Sequence, residues 1–266
     1  MKTNHRPEGK GNRRDVRQYM FVIRELTARE IKRKYVGSSL GIVWSVLNPL
    51  LHMVVMSLIF STMFRRSIEN FPIYYLTGQI FWILFSGATD SAMTALVDNR
   101  SLLIKARLPK QTFVLSRVYT SLVNFGYTCI AYVLMLAVFR IRLSVTMLLF
   151  PLAVVFMLAI SAGAGYILSV IYVFFADIKY LYSVFLTLWM YMSALFYPVT
   201  SLPDAMQRFI ECNPVYVVVA FARECVMYGK VPEPMIWIKL VGWSVGSLFV
   251  GYQFFKLKEN QVMQRI

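Results

Sequence analysis

Long apolar stretches recur along this chain, and each is long enough to cross a bilayer as a helix. The first, LGIVWSVLNPLLHMVVMSLIFSTMF at residues 40–64, holds no Asp, Glu, Lys or Arg. A hydrocarbon core about 30 Å thick is crossed by about 20 such residues in an α-helix. Further stretches follow at about 73–97, 112–139, 147–175, 180–197 and 235–255. Only 15% of the 266 residues are charged and 58% are hydrophobic, whereas a soluble domain carries about 25% charged residues. The chain therefore reads as an all-α polytopic membrane protein with six transmembrane helices. One membrane domain at 37–258 is preceded by a basic tail (1–14) and an amphipathic segment (15–36), and followed by a short tail (259–266). The first apolar run lies behind a long basic arm and exceeds a signal-peptide core, so no cleavable signal is expected.

The basic excess has a side. With the N-terminus inside, the segments on the cytoplasmic face hold nineteen Lys and Arg, and those on the outer face hold seven. That asymmetry predicts both termini in the cytoplasm and an even number of spans. In such a chain a net charge of +15 marks the membrane's inner face before it marks nucleic acid. Between spans five and six, the apolar run at 215–222 is too short to cross and is flanked by Pro198, Pro203 and Pro214. The pattern predicts a re-entrant helical hairpin that dips in and returns, shielded by protein; the alternative is a surface loop with an amphipathic helix. Cys129, Cys212 and Cys225 are too few and too far apart for a metal site; unpaired thiols are expected, the alternative being a Cys212–Cys225 pair on an oxidising side.

Two basic segments flank the first spans. In residues 15–35, Val16, Tyr19, Met20, Ile23 and Leu26 share one helical face, with Arg17, Arg24, Glu25 and Arg29 opposite. Glu25/Arg29 and Glu30/Lys34 are i,i+4 pairs in the favourable order. This helix fits the cytoplasmic interface, its cations near anionic headgroups, as an anchor or as a surface that also touches a partner. Between spans two and three, NRSLLIKARLPK (99–110) combines Lys105, Arg107 and Lys110 with Leu102, Leu103 and Ile104. Asp98 or Asn99 is expected to cap a short helix there with its side chain, and Pro109 to end it. A positive-inside turn explains the cations; a docking surface also explains the leucines. Inside the spans, Asp90 is expected to pair with Arg117, and His52 to be a hydrogen-bonded packing residue, because ionisable groups in lipid face the bundle interior.

Four segments together resemble a known family: KRKYVGSSLGIVWSVLNPLL, YYLTGQIFWILFSGATDS, NRSLLIKARLPKQTFVLSRVYTSLVNF, and FYPVTSLP followed by NPVYVVVAFARECV. In order, over about residues 15–255, they look like the ABC-2-type permeases of polysaccharide export, subunits that move lipid-linked O-antigen, capsule or teichoic acid. The resemblance implies two permease copies and two separate ABC ATPase subunits in a bacterial cytoplasmic (inner) membrane. It implies that 99–110 is the helix that couples to the ATPase, with Asn99, Arg100, Leu103, Lys105, Arg107, Pro109 and Lys110 as its residues. It likewise makes the arm an interface helix, with Tyr19, Ile23, Arg24, Lys32, Arg33 and Lys34. The chain holds no GxxxxGK[ST] phosphate loop, so ATP hydrolysis by that route needs another polypeptide. No cofactor is expected on this chain; ATP-Mg belongs to the partner.

A lipid-linked glycan needs a passage whose walls meet sugar faces, and aromatic rings with polar tips do so. Tyr182, Phe185, Trp189 and Phe196 are expected to share one stripe of span five, joined by Trp44 and Phe60 of span one, as conduit candidates. The alternative for each is packing against lipid or another helix. A permease for a small lipid or drug, or a membrane-embedded enzyme acting on polyprenyl-linked sugars, are the competing readings. An enzyme needs clustered carboxylates or a metal site, and the acidic residues here are scattered.

Overall fold

The computed structural model describes residues 8–38, 40–60, 68–105 and 108–265, with side chains from residue 19 onward. Every regular element among them is helical: α1 (Glu8–Tyr35), α2 (Val43–Phe60), α3 (Phe71–Asp98), α4 (Arg100–Lys105), α5 (Gln111–Val138), α6 (Phe150–Phe174), α7 (Ile178–Tyr191), α8 (Asp204–Glu211), α9 (Pro214–Val226) and α10 (Pro234–Arg265). Short 3-10 turns precede α6 and α8. The amphipathic helix starts upstream of the boundary expected at residue 15, and α10 runs through the segment expected as a tail.

Five helices, α2, α3, α5, α6 with its leading turn, and α10, are long and apolar enough to cross a membrane. The expected fifth span falls short. It ends at Tyr191 and has 14 residues, about 21 Å at 1.5 Å per residue, and the chain then turns through 192–198.

The central element is α3, whose apolar surface is mostly buried by α2, α5, α6, α7 and α9. One cluster gathers at its first half around Phe81, Leu84, Met157 and Phe221; a second lies at its last half around Ala92, Leu96, Phe113 and Phe255. Polar groups inside the bundle are paired across helices. The Thr77 and Tyr132 hydroxyls lie 2.7 Å apart, and Tyr182 Oη donates to Thr89 Oγ1 at 2.6 Å. Pro49 leaves the Ser45 carbonyl of α2 without its helical donor. Thr128 of α5 donates to that oxygen at 3.4 Å, the neighbour-helix repair that apolar surroundings demand.

The closest helix contact joins α6 to α10. A Cβ on Gly163, in the small-residue run SAGAG, would collide with the Ser247 carbonyl, and one on Gly251 with the Gly163 carbonyl. Small residues bring the two backbones together, which strengthens dispersion where no hydrophobic effect separates helix from lipid.

At one end of the bundle sit α1, α4, the head of α5 and the tail of α10, tied by Lys110 Nζ to Glu259 Oε1 at 3.0 Å. The opposite end carries α8 and α9. The Asn213 side chain caps α9 by accepting from Val215 N at 2.9 Å, and donates to the Met192 carbonyl at 3.0 Å. Pro214 stands in the first turn of α9, where its missing N–H is harmless.

Candidate functional site

The short helix α4 is built on its neighbours rather than on its own length. The Asn99 carbonyl accepts from both Leu102 N and Leu103 N at 2.9 Å, so the backbone starts the helix and no side-chain cap is made. The Asn99 side chain points elsewhere: Nδ2 donates to the Ala95 carbonyl, and Oδ1 accepts from Arg29 of α1 at 2.6 Å. Asp98 does not cap either; its Oδ2 accepts from Thr94 and Arg117. The described part of α4 reaches Lys105, and the stop expected from Pro109 falls at residues 106 and 107, outside the described residues. Pro109 belongs to the entry of α5, its carbonyl accepting from Thr112 N at 3.0 Å.

Behind α4 lies a charged junction. Arg117, 8% exposed, donates to Glu30 Oε2 at 2.6 Å and to Asp98 Oδ2 at 2.8 Å. It thus ties α1 and the end of α3 to α5, and its expected pairing with Asp90 is not made; Asp90 is exposed. The intrahelical pairs expected on α1 give way as well. Glu30 turns to the buried guanidinium, because a charge withdrawn from water gains more from a fixed partner than an exposed one does. Arg29 reaches Asn99 instead. Thr27, buried on α1, adds a bond to the Ser116 carbonyl at 3.3 Å.

The inward face of α1 is centred on Val22, Leu26 and Thr27, with Tyr19 and Ile23 half-buried; Met20 and Phe21 are exposed, as are Arg24, Lys32, Arg33 and Lys34. The face is therefore rotated from the one expected through Met20. In α4, Leu103 is buried and anchors the helix, while Arg100, Ile104 and Lys105 face outward, Ile104 being 63% exposed. Arg107 lies outside the described residues. Replacing Arg117 by alanine leaves Glu30 and Asp98 without their shared cation, and loss of one partner from a buried pair costs about 3–5 kcal/mol. Because Asp98 is partly exposed, the lower end is expected. The check is a lowered thermal midpoint with faster tryptic cleavage in α1, partly restored by Arg117→Lys.

Beside this junction a cleft of about 340 Å³ opens between α1, α3 and α5, lined by Arg33, Lys34, Ser91, Thr120, Ser121 and Asn124 among others. A second cleft of about 190 Å³ shares Lys34 and Asn124 and continues to Trp44, Ser45 and Asn48 of α2. Cations, hydroxyls and amides are thus grouped where α1 meets the spans.

The aromatic candidates divide. Tyr182, Phe185 and Trp189 do form a chain of ring contacts along α7, with centroids 5.8 and 4.9 Å apart. Tyr182 is buried at its Thr89 bond, whereas Phe185 is exposed and Trp189 half-buried. Phe196 leaves the stripe because α7 has already ended; it is buried against Phe60, with centroids 5.7 Å apart. Trp44 is exposed, and so is His52, which makes no side-chain hydrogen bond among the described residues.

Sequence reasoning missed the other face of α7. Tyr180, Ser183, Thr187 and Tyr191 are all exposed, and their spacing places four hydroxyls on one helical face. That spacing was the available signal, since hydroxyls repeated along an apolar helix gain nothing from lipid.

At the other end, Arg223 of α9 is one of the seven Lys and Arg that the charge pattern assigns to the outer face. It is 4% exposed, and its guanidinium donates to the carbonyls of Tyr74, Ala194 and Leu195 at 2.9–3.2 Å while stacking over the Tyr74 ring. Ala194 holds a left-handed backbone, φ +46. One side chain therefore holds α9, the head of α3 and the turn after α7 together.

Comparison with known proteins adds family to geometry. Residues 22–227 match the family described as ABC-2 type transporter. This chain belongs to the ABC-2 type transporter family. Over 255 residues it is 30% identical to the O-antigen export system permease protein RfbA of Myxococcus xanthus, covering 95% of this chain and 98% of that one. It is 26% identical to the RfbA permease of Klebsiella pneumoniae over 79% of this chain and 82% of the relative. It is 24% identical to the polysialic acid transport protein KpsM of Escherichia coli, over 91% and 95% respectively. The ABC-2 match runs from within α1, through α4 and Arg117, to the end of α9. Like these relatives the chain is a multi-pass membrane transporter subunit, and among the described residues no group of His, Cys, Asp and Glu could hold a metal ion.

Proposed function

We propose that this chain is the permease subunit of an ATP-driven exporter that carries a lipid-linked polysaccharide, of the O-antigen or capsule type, across the bacterial cytoplasmic membrane. The observation that carries this reading is the near full-length similarity to O-antigen and polysialic acid permeases. ATP-Mg is bound and hydrolysed on two copies of a separate ABC ATPase. Both termini, α1 and α4 lie in the cytoplasm, as the excess of Lys and Arg there supports.

The coupling step is mechanical. Leu103 seats α4 on the bundle, and the exposed Ile104, Arg100 and Lys105 offer an apolar and cationic surface to the ATPase. Closure of the ATPases pushes on α4; Asn99–Arg29 and the Arg117 pairs pass the displacement to α1, α3 and α5 together. The lipid-linked headgroup enters at the cleft of Arg33, Lys34, Ser91 and Asn124, whose cations suit phosphate and whose hydroxyls and amides suit sugar.

With α7 as a short sixth span, two copies of the chain form the conduit, since closed two-fold symmetry is the common solution for such an assembly. Its wall takes the hydroxyl face of α7 and, from α2, Trp44. The α8–α9 pair is the re-entrant hairpin at the exit, its turn shielded from lipid by Asn213 and Arg223.

The test is a variant combining Ile104→Asp with Lys105→Glu. The expected result is insertion and dimerisation as in wild type, loss of the co-purifying ATPase, and at least about tenfold less surface polysaccharide, since one desolvated apolar anchor and one charge pair together exceed 1.4 kcal/mol. Export at the wild-type level would reduce α4 to a topology signal.

A further inference from the structure

One cavity takes no part in coupling or in the conduit. It lies at the end of the bundle remote from α4 and measures about 590 Å³, within the range of about 300–1,000 Å³ typical of small-molecule sites. Tyr132 and Leu136 of α5, Met147 and Phe150 at the head of α6, and Val226 at the end of α9 line it, with Arg140 among them. Its floor is dry in character: Tyr132 and Val226 are each 3% exposed, and the Tyr132 hydroxyl is engaged by Thr77.

Arg140 is exposed where α5 ends. Its backbone is left-handed, φ +51. Ile141 N reaches back to the Leu136 carbonyl at 3.0 Å and Arg140 N to the Ala137 carbonyl at 3.1 Å. This is the helix ending in which glycine is the usual left-handed residue. An arginine there accepts backbone strain, and such strain points to a use for the side chain. Neither Arg140 nor Arg142 makes an ion pair or a side-chain hydrogen bond among the described residues. The 3-10 turn that leads into α6 is held against α9: Thr146 Oγ1 donates to the Cys225 carbonyl at 2.7 Å. The cavity therefore has apolar walls and an uncompensated cation two residues beyond the end of a spanning helix, near the depth at which headgroups lie.

We propose that this cavity holds an acyl chain of an anionic phospholipid whose charged headgroup rests on the Arg140 guanidinium. The chain supplies the apolar contact that the walls lack, and the headgroup supplies the anion. A lipid seated there touches α5, the head of α6 and Val226 at once, so it braces the α8–α9 hairpin against the spans.

The experiment reconstitutes the full-length permease with its ATPase in nanodiscs of equal parts phosphatidylglycerol, phosphatidylethanolamine and undecaprenyl phosphate. The lipids retained after gentle extraction are then counted by native mass spectrometry. Wild type is expected to retain one phosphatidylglycerol that Arg140→Gln does not, with about a fivefold enrichment over phosphatidylethanolamine from one interfacial cation. Ala137→Trp, a substitution at an exposed lining position, is expected to lose that lipid while eluting as a monodisperse complex. The other cationic clefts remain intact in both variants, so the difference from wild type isolates this site. Equal retention of the two phospholipids by wild type, an unchanged phosphatidylglycerol count in Arg140→Gln, or retention of undecaprenyl phosphate in its place would each overturn the proposal.

Discussion

Replacing Arg223 by methionine is expected to unfold the α9 end of the bundle while leaving the α4 end intact. Among the described residues the guanidinium is the one donor to the Ala194 and Leu195 carbonyls, and orphaning a buried acceptor costs about 1–3 kcal/mol each. Methionine fills much of the volume but offers no donor. Lysine keeps the charge, yet its compact ammonium does not reproduce a planar fork that serves three carbonyls and stacks on a ring. The expected order of thermal midpoints is therefore wild type, then Arg223→Lys, then Arg223→Met, measured on detergent-solubilised protein. Gly78→Ala should reproduce part of the loss without touching the arginine, because a Cβ there would stand 2.9 Å from Arg223 Nη2. Protease accessibility at residues 192–198 reads the local opening. Equal midpoints for Arg223→Met and wild type would show that the carbonyls find other donors and that Arg223 does not hold α9 to α3.

Replacing Gly163 by leucine is expected to prevent α6 from docking on α10. The obstacle is backbone, the Ser247 carbonyl, so no side-chain rotation relieves it. Overpacking a core costs about 1–3 kcal/mol when side chains can yield, and this contact should exceed that range. The expected outcome is a collapse of monodisperse protein in fluorescence-detected gel filtration, with Gly163→Ala intermediate. Leucine at Gly242 or Gly246, where an added Cβ meets nothing within 4 Å, serves as the control and should elute as wild type. Gly251→Val should behave like Gly163→Leu, since its Cβ meets backbone too, the Gly163 carbonyl across the same helix contact.

These two variants mark different kinds of legibility. The run SAGAG announced close helix packing, because small residues in an apolar helix have few other uses. Its partner was not legible, since Gly251 stands among other small residues of α10 that face outward. Arg223 was legible only as a charge. A cation just after a short apolar run reads as an outer-loop residue, and nothing local indicates that three carbonyls from two distant segments converge on it. The same applies to Arg117, whose expected partner, Asp90, was nearer in imagined depth than Glu30 and Asp98. The pairing was settled by where α1 docks.

The coupling segment shows the division most clearly. Its composition, Leu102 to Ile104 beside Lys105 and Lys110, indicated a surface both apolar and basic. Which leucine anchors it and which residue is offered depended on the orientation of a helix six residues long, too short to have a periodicity of its own. The α7 stripe failed for a related reason. Apolar character continued to residue 197, but the helix stopped at Tyr191, where Arg223 stabilises a left-handed turn from another element.

Sequence alone determined the membrane class, the approximate extents of the five long helices, the basic side of the chain and the family. These rest on properties summed over twenty or more residues, such as transfer to lipid and charge asymmetry, and such sums survive ignorance of any single contact. Tertiary structure decided the shortness of α7, the face of α1, the partners of Arg117 and Arg223, and the cavity behind Arg140. Each depends on one polar or backbone group finding its partner across tens of residues in a medium without water. That convergence is a property of the packed bundle and is written in no local stretch.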